Sequence, residues 1–241
     1  MVAIALSGIC ATSPAAQRLA VRHPEVPNAG KSAAAFAPAG WQVETQASGD
    51  LNGDGAADLA FVLIGPGDVD PDRPPREGSA TPREPNPRML AVAFARAAGG
   101  YEVALLNREF LPRRTPPNGL SVGYMLFEDG SLDARRGRLR VIFEYTRGHR
   151  TYTFRWQDRA FRLIGYDSAS VEGGCLHQLS INFLSRRAKL MAAYIDRDDE
   201  QVRWQNLAPR PLLTVQQISD GEEFDPYGLE HDFPLSCSQR P

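Results

Sequence analysis

The sequence predicts an all-β, mostly antiparallel fold of hairpins and a β-meander, and three observations predict it. Between Arg138 and Tyr166 apolar and polar residues alternate with period two, as a sheet with one buried and one wet face requires. The 19 prolines and 21 glycines supply turns throughout and disfavour a helical bundle. No stretch sustains the 3.6-residue apolar period of an amphipathic helix. A sandwich-like and a partial propeller-like closure both satisfy this pattern.

Taken in order, residues 1–16 read as a signal peptide. The apolar run Val2 to Ala11 is followed by Ser13 and Ala15, small residues suited to a cleavage site, although no basic residue precedes the run. Export from a bacterial cytoplasm, to the periplasm or the medium, is the expectation. Residues 17–39 are Ala/Pro-rich and aperiodic, the pattern of a flexible lead-in. Residues 40–241 then form a single β-rich domain. Its elements begin with a weakly alternating strand, Trp41–Gln46, and a buried strand, Leu59–Ile64. Residues 65–88 are rich in proline, glycine and charge and read as a mobile surface loop, in which Asp68, Asp70 and Asp72 are solvated.

A hairpin follows, Met89–Phe94 and Tyr101–Leu106 about a Gly99-Gly100 turn. In the meander, Leu139, Val141, Phe143 and Tyr145 share one face. A turn at Gly148, which takes in His149, leads to Tyr152, Phe154 and Trp156, and a turn at Gln157–Arg159 leads to Phe161–Tyr166. A second hairpin runs from His177–Phe183 to Leu190–Ile195, and Leu212–Val215 forms a last short strand. No later segment approaches the ~18 apolar residues that span a bilayer, so no transmembrane segment is expected.

The net charge of −2 and isoelectric point near 6.1 give no global attraction to nucleic acid or anionic membrane, so neither is an expected partner. Arginine supplies nearly all cations, with Lys31 and Lys189 the only lysines, which reflects base composition more than recognition. If Cys10 leaves with the signal peptide, Cys175 and Cys237 remain as a disulfide pair suited to an oxidising compartment. That bond closes a loop of roughly 60 residues and is worth roughly 4 kcal/mol on chain entropy.

The most specific chemistry lies in Asp50-Leu51-Asn52-Gly53-Asp54-Gly55-Ala56-Ala57-Asp58. Calcium takes six to eight oxygens at about 2.3–2.6 Å. Asp50, Asn52 and Asp54 alternate, so a tightly wound loop turns their side chains inward, and Gly55 permits the positive φ that folds the chain over the ion. The Ala56 carbonyl is the backbone ligand, and Asp58 closes the shell directly or through water. An EF-hand would need a glutamate at the twelfth position, where Phe61 stands, and flanking helices.

The segment from Gly40 to Ile64 instead resembles the calcium hairpins of FG-GAP and VCBS-type repeats, whose motif ends at the ninth-position aspartate and runs into an apolar strand, as Asp58-Leu59-Ala60-Phe61-Val62 does. The resemblance implies a calcium-braced β module in an exported protein. Only one copy is present, and the Phe-Gly…Gly-Ala-Pro half of the repeat is absent, so a whole propeller is not implied.

Catalytic motifs are weak. His23, His149, His177 and His231 form no local ligand pair, and the disulfide reading of Cys175 competes with a Cys175/His177 metal or thiol site. Within Glu230-His231-Asp232, neighbours on a strand point to opposite faces. Ala29-Gly30-Lys31-Ser32 lacks the upstream glycine of a phosphate loop. Arg138, Arg140, Arg155 and Arg162 suit the wet face of a sheet better than an anion-binding stripe. The reading is therefore a calcium-binding scaffold, structural or binding in role, whose partner is an envelope protein or a glycan. The competing reading is a hydrolase of glycans or phosphoesters with carboxylates gathered by the fold; a cleft holding two perturbed carboxylates would favour it.

Overall fold

The computed structural model describes residues 23–66, 87–111, 130–197 and 199–234, and the alternating segments among them pair into two antiparallel sheets. The first sheet has the order β1-β5-β4-β3-β2, with β1 at Ala29–Gly30, β2 at Gln42–Gly49, β3 at Asp58–Ile64, β4 at Arg88–Ala95 and β5 at Tyr101–Asn107. The second is the meander, seven strands in chain order and curled into a half-barrel. It comprises β6 (Leu132–Arg135), β7 (Arg138–Tyr145), β8 (Gly148–Gln157), β9 (Ala160–Glu172), β10 (Cys175–Asn182), β11 (Arg187–Tyr194) and β12 (Gln201–Asn206). The expected all-β, antiparallel class is what the chain adopts.

Strands β3 and β4 are apolar on both faces because both faces are covered. Ala60, Val62, Leu90 and Val92 turn toward the meander and join its inner face in one core. Phe61, Leu63, Met89 and Ala91 turn the other way into a second, smaller core. That core is roofed by the 3-10 helix Ala33–Phe36, with Phe36 stacked on Phe61 at 5.3 Å. The lead-in reading of 17–39 is corrected from Val26 onward: Val26, Ala33 and Phe36 pack on the sheet and β1 extends it beside β5. A handful of isolated contacts does this, which is why no periodicity marks it.

The boundary expected at residue 88 also moves. Arg88 is the first residue of β4, with a wholly buried side chain whose Nε and Nη2 donate to the Glu44 carboxylate at 2.7 and 2.6 Å. A register shift between Val43 and Thr45 on β2 marks the strand that carries Glu44. A two-point contact of this kind compensates the cost of burying a charge. The remainder of that loop, residues 67–86, lies outside the described residues, as do the proposed signal peptide and Cys237.

Along the meander, the inner face carries Phe143, Tyr152, Phe154 and Tyr166, interleaved with Phe110 and Phe224. Phe110 meets Tyr152 edge-on at 4.9 Å and Phe154 at 5.6 Å, a geometry worth about 0.5–1.5 kcal/mol per pair beyond burial. The outward residues Arg138, Arg140 and Arg155 are exposed and Arg162 is half-buried, as a wet face requires. Two expectations need revision and one strand is new. His149 lies within β8 and not in a turn. β12, a strand not among those expected, alternates Val202 and Trp204 with polar residues, and both of these apolar side chains are exposed. Leu212–Val215 is not a strand; a single bridge joins Thr214 to Arg162 before the 3-10 helix Val215–Gln217, because Pro209 and Pro211 remove donors a ladder would need. Among the described residues, no helix is long and apolar enough to cross a membrane.

Candidate metal centre and a polar cleft

The loop between β2 and β3 is organised by its own side chains. The Asp50 carboxylate accepts the N–H of Gly53 at 2.7 Å and of Gly55 at 3.0 Å, curling the chain around that residue. Asn52 Oδ1 accepts the Asp54 N–H, and Asp54 Oδ1 accepts the Ala56 N–H. Gly53 and Gly55 both sit at φ +86°, where a side chain would be strained. The Ala56 N–H, then the Asn52 amide, hold the Asp54 carboxyl below its ordinary range, so it is ionised at neutral pH. Leu51 points the other way, buried in the main core, and anchors the loop.

Asp58 is placed differently from the other expected ligands. It is wholly buried; one carboxylate oxygen accepts the Leu51 N–H and the other the Ala95 N–H, each at 2.9 Å, while its carbonyl accepts the Ser48 hydroxyl. Asp58 thus ties both ends of the loop to the end of β4. Among the described residues, no group of three or more histidines, cysteines, aspartates or glutamates is gathered closely enough to hold a metal. Of the other expected donors Asp54 is exposed and Asp50, Asn52 and Ala56, the last through its carbonyl, belong to half-buried residues. That all-oxygen donor set, with two carboxylates, suits a hard cation.

The loop also marks the corner where the two sheets meet. Gly49, the residue before Asp50, lies so close to β6 that a Cβ there would stand 1.8 Å from the Ala134 carbonyl oxygen. Leu132 and Ala134 of β6 share the core with Leu51.

A second place draws polar groups together. At one end of the meander the inner face ceases to be apolar. Pairing sets Tyr145, Gly148, Ser170 and His177 in one cross-strand row over β7, β8, β9 and β10. The next row inward is Phe143, Arg150, Ser168 and Leu179. The C-terminal segment lies over these rows, held where the Tyr152 hydroxyl donates to the Gly221 carbonyl and the Tyr166 hydroxyl to the Glu230 carboxylate. Between sheet and segment is a cleft of about 600 Å³, the size of a small-molecule site. Glu222, Glu230, His231 and Phe233 close it, and His177 stacks on Phe233 at 4.6 Å.

Electrostatics in the cleft are mixed. The Arg150 guanidinium lies 3.8 Å from a Glu230 oxygen, an ion pair beyond hydrogen-bonding distance. Burial pushes the Tyr145 phenol above its ordinary range, so it stays protonated. Burial, then the neighbouring Asp220, pushes the Glu222 carboxyl up against the pull of Arg150. A raised carboxyl favours the folded state in its protonated form, a contribution present below the ordinary carboxylate range and lost as pH rises through the raised value. Glu222→Gln is therefore expected to raise the melting temperature by about 1–2 °C at pH 7, the group's exposure screening the effect, and to leave it unchanged at pH 3.5. Superimposable melts of variant and wild type at pH 7 would refute this.

Sequence reasoning set His177 aside and did not single out Tyr145, Arg150 or Glu222 as site residues. For Arg150 a signal was present: it has the same parity as Tyr152, Phe154 and Trp156 on β8, a cation on the apolar face. The other members of Glu230-His231-Asp232 separate, with Asp232 paired to Arg203 at 2.6 Å and His231 lining the cleft. Comparison with protein-family models, with curated proteins and with solved structures finds no match.

Proposed function

We propose that this chain is an exported, calcium-binding β protein of the bacterial envelope whose metal loop braces a binding scaffold. The carrying observation is the placement of the Asp50 loop: its turns are pre-curled by Asp50, Asn52 and Asp54, and it sits where β2 meets β6. Asp50, Asn52, Asp54 and the Ala56 carbonyl would hold the ion, which supplies positive charge against the loop carboxylates. Asp58 would act as the loop's anchor, its carboxylate engaged by the Leu51 and Ala95 N–H groups. Export is supported by the N-terminal apolar run and by cysteine usage. Cys175 is buried and disulfide-bonded, and we assign Cys237 as its partner, tying the C-terminal tail to β10.

A binding role fits the cleft better than hydrolysis. Of its two central carboxylates, Glu222 is raised by burial, whereas Glu230 is engaged by the Tyr166 hydroxyl and faces Arg150. Paired acid and base work needs two carboxylates available to a substrate. The expected partner is an envelope protein or a glycan.

Calcium at 1 mM should raise the melting temperature by several degrees, about 1–3 kcal/mol by mass action at tens to hundreds of times Kd, and EDTA should reverse it. Asp54→Ala should melt like the EDTA-treated wild type and ignore calcium. A wild-type melting temperature indifferent to both additions would remove the metal from this reading. Pull-down from envelope extract with and without calcium then tests the partner class.

A further inference from the structure

We propose that the cleft at the end of the meander is a binding site for a small hydroxylated carboxylate of the sugar-acid class, with Arg150, Tyr145 and His177 receiving the carboxylate. The inference stands on the cleft alone and not on calcium.

Three polar atoms around the cleft carry the argument. Arg150 Nη1, the Tyr145 hydroxyl and His177 Nε2 are buried and have no hydrogen-bond partner among the described residues. Leaving such groups unmatched is costly, most of all for a charged one, and three of them gathered at one cleft call for a partner. All three can donate: guanidinium nitrogens only donate, the Tyr145 phenol is held protonated, and a neutral imidazole donates from one nitrogen. Pairing brings them to two adjacent rows of one sheet face. Tyr145 and His177 stand at the two ends of a row whose middle members are Gly148 and Ser170, and Arg150 stands in the next row beside Ser168. Small residues between large ones make a floor, and donors at its edges point to an acceptor-rich group lying on it.

The surrounding charge narrows the class. Glu230 does not absorb Arg150's capacity: its contact is at 3.8 Å, one of its oxygens is occupied by Tyr166, and the Arg150 side chain is 24% exposed. Glu172, Glu222 and Glu230 all line the same cleft, so a phosphate or sulfate dianion would be repelled by several carboxylates at once. A planar monoanion matches the guanidinium with the least repulsion. Glu172 and Glu222 are acceptors for hydroxyl groups elsewhere on the ligand, and about 600 Å³ accommodates one or two sugar rings.

The test titrates the full chain, with and without calcium, with glucuronate, glucose and inorganic phosphate, read by calorimetry or amide chemical shifts. Glucuronate should bind at least tenfold more tightly than glucose or phosphate, with shifts confined to the Tyr145 end of β7, to β8–β10 and to residues 222–233. Arg150→Gln should weaken glucuronate at least tenfold. Tyr145→Phe, which keeps the ring and removes only the hydroxyl, should weaken it about threefold and covers the case in which the Arg150 variant does not fold. Arg155→Gln, on the outer face of the same strand, should change nothing. Equal affinity for glucose, preference for phosphate, no binding of glucuronate, or full affinity in Tyr145→Phe would each overturn the assignment. Because calcium is an independent arm, failure here leaves the metal reading standing, and the converse.

Discussion

Gly49→Ala is expected to lower the melting temperature by about 10–15 °C, corresponding to about 3–5 kcal/mol for a domain of this size. The reason is contact and not conformation. An added Cβ would sit 1.8 Å from the carbonyl oxygen of Ala134 and 2.9 Å from its carbonyl carbon, and both are backbone atoms that no rotamer change can move. Either β2 or β6 must shift, and the shift opens the corner where Leu51, Leu132 and Ala134 enter the main core. Gly53→Ala provides the control. Its φ of +86° makes a side chain strained, but nothing lies within 4 Å of an added Cβ, so the cost should stay near 1–2 kcal/mol. Thermal melts by circular dichroism compare the two; equal losses would mean that the sheets do not depend on close approach at this corner. A calcium response retained in a destabilised Gly49→Ala would further show that the loop winds independently of the seam.

The meander was legible because period-two alternation has one physical cause, a sheet wet on one side, and nothing in β7 to β9 competes with it. The continuous apolar run of Leu59–Ile64 likewise signalled burial on both faces, now accounted for by the main core on one side and Phe36 with Met89 on the other. What the roof would be was not legible. Ala33 and Phe36 stabilise by filling space over a finished sheet, and that contact leaves no periodic trace. The loop residues Asp50 to Asp58 were recognisable by spacing, yet spacing does not separate those that face water from the one that does not. Asp58 is drawn inward by the N–H of Ala95, a residue on another strand. The cleft illustrates the same limit. Arg150 and His177 lie on apolar parity with Tyr152 and Leu179, which marks them as inward polar groups, but Glu222 and Glu230 join them through the distant contacts of Tyr152 with Gly221 and Tyr166 with Glu230.

Asp58→Ala should be the most costly substitution in the loop, and it separates anchoring from metal binding. Its carboxylate satisfies two N–H groups, those of Leu51 and Ala95, at a site with no access to water. Truncation leaves both donors orphaned at about 1–3 kcal/mol each and removes the tie between the loop and β4, so a loss of about 3–5 kcal/mol is expected in the absence of calcium. Asp58→Asn keeps one acceptor oxygen but turns an amide N–H₂ toward one of the two donors, and should recover at most half of that loss. Asp54→Ala makes the complementary case: the Asp54 side chain is exposed, so without calcium its removal should change stability little, while the response to calcium disappears. Measured with EDTA and with calcium, the two variants should therefore fall on different axes, Asp58→Ala on intrinsic stability and Asp54→Ala on calcium dependence. An Asp58→Ala protein that melts within about 2 °C of wild type in EDTA would show that the buried carboxylate is not the anchor its hydrogen bonds describe.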